Sequence, residues 1–365
     1  MAQVVFLPDF QGSWKWPRQI HPHFEEIGQE SSQWAASFGA FTPKAQEAID
    51  KCNLALLAGL FYPWVTKGKQ SLGSPDANDM GQGLLNPSGT DQLRCSNDLN
   101  HIFFIFDEHS DKWDPGEVRS QADVIMDALR DPEKPRPEGE WVGGEITRQF
   151  WARTKVISTP TFQKRLIDAM EEYLHGTAQQ AEDRHRSYIR DIEGYFQIRR
   201  KTVGVFPSFN MLEMDMNIPD EVRGNPVIQE IETLGVDLCI IANAKQASGD
   251  DQHNIITIVM REKAMDVQQA IDWTAQVHAG MTERFNQLFL QIPRWGGPLD
   301  WEVQTFMDGV AHLVGANTQW SYETQRYLGK HGLEVQATRM LRLAPKKCVM
   351  GEEIGPIILD DTMLK

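Results

Sequence analysis

The chain has 365 residues, 41% of them hydrophobic, enough to bury a large core. Its 36 Lys and Arg stand against 51 Asp and Glu, a formal charge of −15 with no block of one sign, which argues against nucleic acid as a partner. The N-terminal stretch from Met1 to Pro8 lacks the basic flank and apolar run of a targeting peptide, and no later segment approaches the roughly 20 apolar residues that span a bilayer, so the expectation is a cytoplasmic protein without a stable membrane anchor. Cys52, Cys95, Cys239 and Cys348 lie far apart and without paired spacing, which reads as buried, reduced thiols and not as a zinc site or a disulfide framework.

In chain order, a Trp- and Pro-rich start (Trp14, Trp16, Pro17, Pro22) gives way to segments whose apolar residues recur at helical spacing, as in Leu166, Ala169, Met170, Tyr173 and Leu174. The apolar runs Leu54 to Phe61 and Ile255 to Met260 are ambiguous by period, but their helical neighbours and the lack of hairpin turns favour buried helices. Lys67 to Gln92, rich in Gly, Ser, Pro, Asn and Asp, reads as a long inserted loop. Arg130 to Glu145, with Pro132, Pro135 and Pro137, reads as a connection between two helices, and residues 346–365 read as a divergent tail. No repeat and no linker divides the chain, so the expectation is one all-α domain over residues 1–365.

The most informative segment is His101-Ile-Phe-Phe-Ile-Phe-Asp-Glu-His-Ser-Asp111, an apolar aromatic run that ends in acids. On a helix, Asp107 and Asp111 stand one turn apart on one face with Glu108 beside them. Oxygen donors placed so suit a hard divalent cation such as magnesium, which often bridges to substrate phosphates. A bare D-E-x-x-D string also fits a solvated acidic helix end; here Ile102 to Phe106 demand burial directly before it, which puts the acids at the rim of an apolar region.

This segment resembles the aspartate-rich motif of the fungal class I sesquiterpene synthases, and the D-E-H-S-D wording is similar to that of the basidiomycete protoilludene synthase group. The resemblance runs from about Pro8 to Pro345. It is carried by Trp16-Pro17-Arg18, His21-Pro22, Tyr62-Pro63, Phe106 to Asp111, Arg199-Arg200-Lys-Thr-Val-Gly204, Gly249-Asp250-Asp251-Gln-His-Asn254 and Trp320-Ser-Tyr-Glu-Thr-Gln-Arg-Tyr327. It implies a single-domain helical bundle around a central cavity. It also implies cyclisation of farnesyl diphosphate with up to three magnesium ions bound together with the diphosphate, and a monomer or homodimer.

Carried over residue by residue, the resemblance makes Asp107 and Asp111 metal ligands and Glu108 a contributor of charge. It makes Arg200, four residues before Gly204, the arginine that senses the diphosphate, with Arg199 as the rival. Arg326 and Tyr327 match the pair that closes over the diphosphate, and Phe103, Phe104, Phe196 and Trp320 are candidates for an aromatic wall around the carbocation. Each of these aromatics is read equally well, singly, as ordinary core.

The sequence departs from the family at its second metal motif, N-D-x-x-S-x-x-x-E. Counting back from Gly249 puts Lys245, Ile241 and Asp237 at the Glu, Ser and Asn positions, a set that cannot bind metal in the usual way. Counting forward makes Asn243 the motif asparagine with about six residues missing after it, and Asp251, eight residues on, then stands in for the glutamate. Two functions follow: a cyclase that yields a protoilludene-like product by 1,11 closure, or a catalytically impaired splice or gene-model variant that keeps the fold. A chain-elongating prenyltransferase would need two aspartate-rich motifs, and one is present.

Overall fold

The computed structural model describes residues 3–63, 89–242 and 254–343. Helices α1 (Phe24–Ser37), α2 (Pro43–Asp50) and α3 (Leu54–Phe61) come before α4 (Gly89–Ser110), which is followed by α5 (Pro115–Arg130), α6 (Gly143–Ile157) and α7 (Pro160–His185). Next come α8 (Ile192–Thr202), α9 (Val205–Asn210), α10 (Asp220–Arg223) and α11 (Pro226–Ala242). The order closes with α12 (Ile255–Lys263), α13 (Val267–Phe289), α14 (Pro298–Glu323), α15 (Gln325–Leu328) and α16 (Gly332–Thr338). The all-α expectation holds, with one addition: β1 (Gln3–Phe6) pairs antiparallel with β2 (Met340–Leu343) in a two-stranded sheet that ties together distant parts of the chain.

Local chemistry sets many of these boundaries. Thr42 and Thr159 accept from the backbone N–H of Ala45 and Phe162 and are each followed by a proline at the first helical position. Asp114 with Glu117, and Asp266 with Gln269, form reciprocal capping boxes at the starts of α5 and α13. The apolar runs 54–61 and 255–260 are helical, in α3 and α12, as expected. The 130–145 connection is shorter than read, because α6 begins at Gly143. Residues 89–92 form the first turn of α4 and not the end of the loop; the rest of that loop, residues 67–88, and the 346–365 tail lie outside the described residues.

Helix α4 is the axis of the bundle. It is buried on nearly every side, from Leu93 to Ser110, and packs on α1, α3 and α6. That burial extends to a carboxylate: Asp98 is fully buried and accepts from Ser31 at 2.5 Å, Arg153 at 2.6 Å and Arg94 at 2.8 Å, which joins α1, α4 and α6 through one compensated charge. Around this axis α5 lies on α6 and α7, α14 on α3 and α11, and α13 on α11 and α12. The N-terminal tryptophans strap the far side: Trp14 and Trp16 meet Phe285 and Phe289 of α13, and their indole N–H groups donate to the Ala311 carbonyl and to Asp308 of α14. Gly315 permits this approach, since a Cβ there would come within 2.8 Å of the Trp14 indole nitrogen.

Cys52, Cys95 and Cys239 are buried free thiols, as expected, and Cys348 lies outside the described residues. Among the described residues no helix is long and apolar enough to cross a membrane.

Burial also pushes His101 of α4 down to about 4 from an ordinary 6.5, and does the same to His312 of α14. An unfolded imidazole takes up its proton near 6.5, so below that pH the unfolded chain binds more protons. The stability these histidines contribute is complete above pH 6.5 and drains away towards pH 4, by about 2 kcal/mol per histidine at pH 5. The urea midpoint should therefore fall between pH 7 and pH 5, with a shallower fall in His101→Gln; equal slopes for the two chains would contradict the assignment.

Candidate active site

The site is built where α4 runs out of apolar residues. Phe103 and Phe106 are held inside the bundle, Phe103 edge-on to Tyr173 of α7 with ring centres 4.9 Å apart, and the next turn emerges as Asp107, Glu108 and Asp111. The Asp111 N–H donates to the Asp107 carbonyl at 3.1 Å, so helical geometry continues through the motif and the two aspartates share one face. The side chain of Glu108 is 9% exposed, against 49% for Asp107 and 64% for Asp111.

His109, between these acids in sequence, points elsewhere. Its ring is stacked between Phe41 and Trp113, and Nε2 lies 3.0 Å from the Ala40 carbonyl oxygen. It anchors this end of α4 to the segment between α1 and α2. Arg184 of α7 performs the matching task on the other side, donating to the Ser110 carbonyl at 2.6 Å and lying 3.5 Å from Asp111. A cation at a helix C-terminus satisfies orphan carbonyls and suits the helix dipole.

Arg326 reaches the acids from α15. Its Nη1 donates to Glu108 Oε1 at 2.7 Å, and Nη2 lies 3.5 Å from Asp107 Oδ2. The guanidinium sits over the ring of Phe104, 5.0 Å from its centre, and 6.0 Å from that of Tyr327. Phe104 and Tyr327 in turn meet Trp320 edge-on at 6.1 and 5.6 Å, and the Trp320 indole N–H donates to the Cys52 carbonyl at 2.8 Å. Asp107, Phe104, Trp320, Arg326 and Tyr327, singled out from far-apart stretches of sequence, are thus one cluster.

Charge in this cluster is unevenly balanced. Burial opposes the charge on Arg326, but the carboxylates Glu108 and Asp107 beside it offset that and hold its pKa above the usual arginine range. Partial desolvation at the helix end, and then the like charge of Asp107, push the Asp111 carboxyl upwards from the ordinary carboxylate range. Water at so exposed a side chain screens part of that push. The acids therefore carry more negative charge than Arg326 and Arg184 neutralise, and carboxylate oxygens on one helix face are the donor set that magnesium accepts when phosphate and water complete its shell. The described residues hold no group of three His, Cys, Asp or Glu side chains able to enclose a metal ion unaided. The other two expected ligands, Asn243 and Asp251, and with them the altered second motif, lie outside the described residues.

The sequence pattern of terpene synthase family 2, C-terminal metal binding, matches residues 98–284. A Delta(6)-protoilludene synthase of Armillaria gallica is 43% identical over 370 positions that cover 100% of both chains. One from Stereum hirsutum (strain FP-91666) is also 43% identical, over 99% of this chain and 93% of its own. The chain belongs to the terpene synthase family. Solved terpene synthases share its fold: α-eudesmol synthase matches 84% of this chain and 97% of its own with a TM-score of 0.71 at 18% identity, and hedycaryol synthase matches 87% and 98%, also with 0.71, at 17%.

Within this terpene synthase, Arg200 is found away from the cluster. It forks onto Asp237 of α11 with two bonds of 2.8 Å and lies 5.9 Å from the Phe196 ring centre. Sequence reasoning did not find Arg184, the Cys52 carbonyl or the Arg200–Asp237 pair. None has a local signal, because each is a contact between helices remote in sequence. Gly204 was found through its spacing: it sits between α8 and α9 at φ 71°, with room for a Cβ at 3.5 Å from Phe103. Space is therefore available there and backbone strain is not avoidable. Gly204→Ala should cost the terpene synthase about 1–2 kcal/mol in urea unfolding, and an unchanged midpoint would show that the left-handed turn is not required.

Proposed function

We propose that the chain is a magnesium-dependent sesquiterpene cyclase that ionises farnesyl diphosphate, closes rings through carbocations and ends with loss of a proton. The observation that carries this reading is the meeting of two unlike surfaces at one point: the carboxylates Asp107, Glu108 and Asp111, and the aromatic faces of Phe104 and Trp320, bridged by Arg326. An allylic diphosphate has the same two halves. Bound magnesium would neutralise the diphosphate and turn it into a leaving group, held by Asp107 and Asp111 with Asn243 and Asp251 as further ligands.

The chain's own groups supply the rest. Arg326 gives up Glu108 and forks onto diphosphate oxygens, Tyr327 donates its hydroxyl, and one of the two arginines at the end of α8 meets the diphosphate from the other side. The C–O bond breaks with its electron pair leaving on the diphosphate, and the allylic cation stays against Phe104 and Trp320. Their faces attract positive charge and offer it no nucleophile. The two curated relatives described above are named for protoilludene formation, which supports a protoilludene-like product by 1,11 closure.

Incubation of the purified protein with farnesyl diphosphate and magnesium, followed by gas chromatography, should release a cyclic C15 hydrocarbon. Asp107→Asn should reduce its rate roughly a hundredfold or more. A folded protein that releases no hydrocarbon would overturn the cyclase reading and favour the impaired variant.

A further inference from the structure

The turn between α2 and α3 is tied to a distant part of the chain through its backbone. The Lys51 carbonyl accepts from the Gln325 N–H at 3.2 Å, the Cys52 carbonyl accepts from the Trp320 indole N–H at 2.8 Å, and the Asn53 carbonyl oxygen lies 3.3 Å from the same indole nitrogen. A helix end leaves such carbonyls without partners, and here the end of α2 offers them to the end of α14 and the start of α15. Helix α15 depends on them. Thr324, at its cap position, makes no side-chain cap bond, its buried hydroxyl has no partner, and none of the four residues of α15 belongs to the buried core. Yet α15 is the element that carries Arg326 and Tyr327.

The turn takes its shape at Asn53. The backbone there is left-handed, with φ 47° and ψ 67°, a conformation that costs most side chains free energy and that asparagine tolerates well. In an extended backbone successive carbonyls point to opposite sides; the left-handed residue instead leaves those of Cys52 and Asn53 within reach of one indole nitrogen. The Asn53 side chain holds this form, because its oxygen accepts from the Leu56 N–H at 3.0 Å and so caps α3. Asn53 itself is exposed, and its connection to the site runs through the backbone carbonyls of the turn.

We propose that Asn53 is a positioning residue for the cyclisation: by holding the α2–α3 turn in its left-handed form, it sets where Trp320 stands against the carbocation and where α15 presents Arg326 and Tyr327 to the diphosphate. What is positioned rests on the cyclase reading above, whereas the hold on Trp320 stands on the geometry of the turn.

The test combines, on the full chain, turnover of farnesyl diphosphate with magnesium, thermal melting, and solvent exchange of the Trp320 indole N–H by NMR, assigned through Trp320→Phe. Asn53→Ala loses both the cap and the tolerance of the left-handed form; it should lower kcat roughly tenfold with KM changed less than about threefold, and speed exchange of the indole N–H roughly tenfold. Asn53→Asp keeps both features and Asn53→Gly keeps the backbone freedom, so both should recover most of the loss. Thr42→Ala, which removes the cap of α2 at its other end, should lower the melting temperature by about 1–3 °C while kcat and indole exchange stay as in the wild type. An Asn53→Ala chain that melts lower but keeps wild-type kcat and exchange would reduce Asn53 to a helix cap and overturn the proposal, as would a Thr42→Ala chain with the same losses as Asn53→Ala. A wild-type chain that releases no hydrocarbon would overturn the cyclase reading, and the indole exchange would then still decide whether Asn53 holds Trp320.

Discussion

Three carboxylates crowded at the end of a buried aromatic helix set the terms for everything around them. Asp107, Glu108 and Asp111 cannot move apart, because α4 is locked along its length by packing and at its end by His109 on one side and Arg184 on the other. Their repulsion has to be met by partners brought to them. Arg326 meets part of it in the unliganded chain, and the like charge of Asp107 still adds to the upward push on Asp111. A cation is the natural completion of such a site, and a diphosphate the natural companion of that cation.

The same guanidinium connects charge to hydrocarbon. Arg326 lies on Phe104, Phe104 meets Trp320, and Trp320 is fixed by the Cys52 carbonyl at the junction of α2 and α3. The polar and apolar halves of the site are therefore held in one contact chain that crosses four parts of the sequence. The N-terminal strap serves this arrangement from outside: Trp14 and Trp16 pack on α13 and α14, and Arg18 forks onto Glu323, the last residue of α14 before the turn that leads to Arg326.

What the sequence disclosed and what it hid divide along physical lines. The placing of Asp107 and Asp111 on one helical face is local chemistry and could be read directly. The resemblance to fungal terpene synthases brought Arg326 and Tyr327 into view, which no spacing rule would have done. Tertiary pairings stayed out of reach, because Arg184 with Ser110, or Arg200 with Asp237, depends on how helices distant in sequence settle against each other. Spacing to Gly204 selected Arg200, whereas the burial pattern of α8 turns it towards α11. The β1–β2 pairing was equally silent: four residues are too few for an alternation to stand out.

When a diphosphate arrives, the carboxylate cluster and Arg326 are proposed to exchange partners. The decisive measurement is a crystal structure of the protein grown with magnesium and inorganic pyrophosphate. Metal density should appear at Asp107 and Asp111, with the Arg326 guanidinium moved from Glu108 onto diphosphate oxygens. Arg326 still paired with Glu108, and a diphosphate bound away from the end of α4, would contradict it.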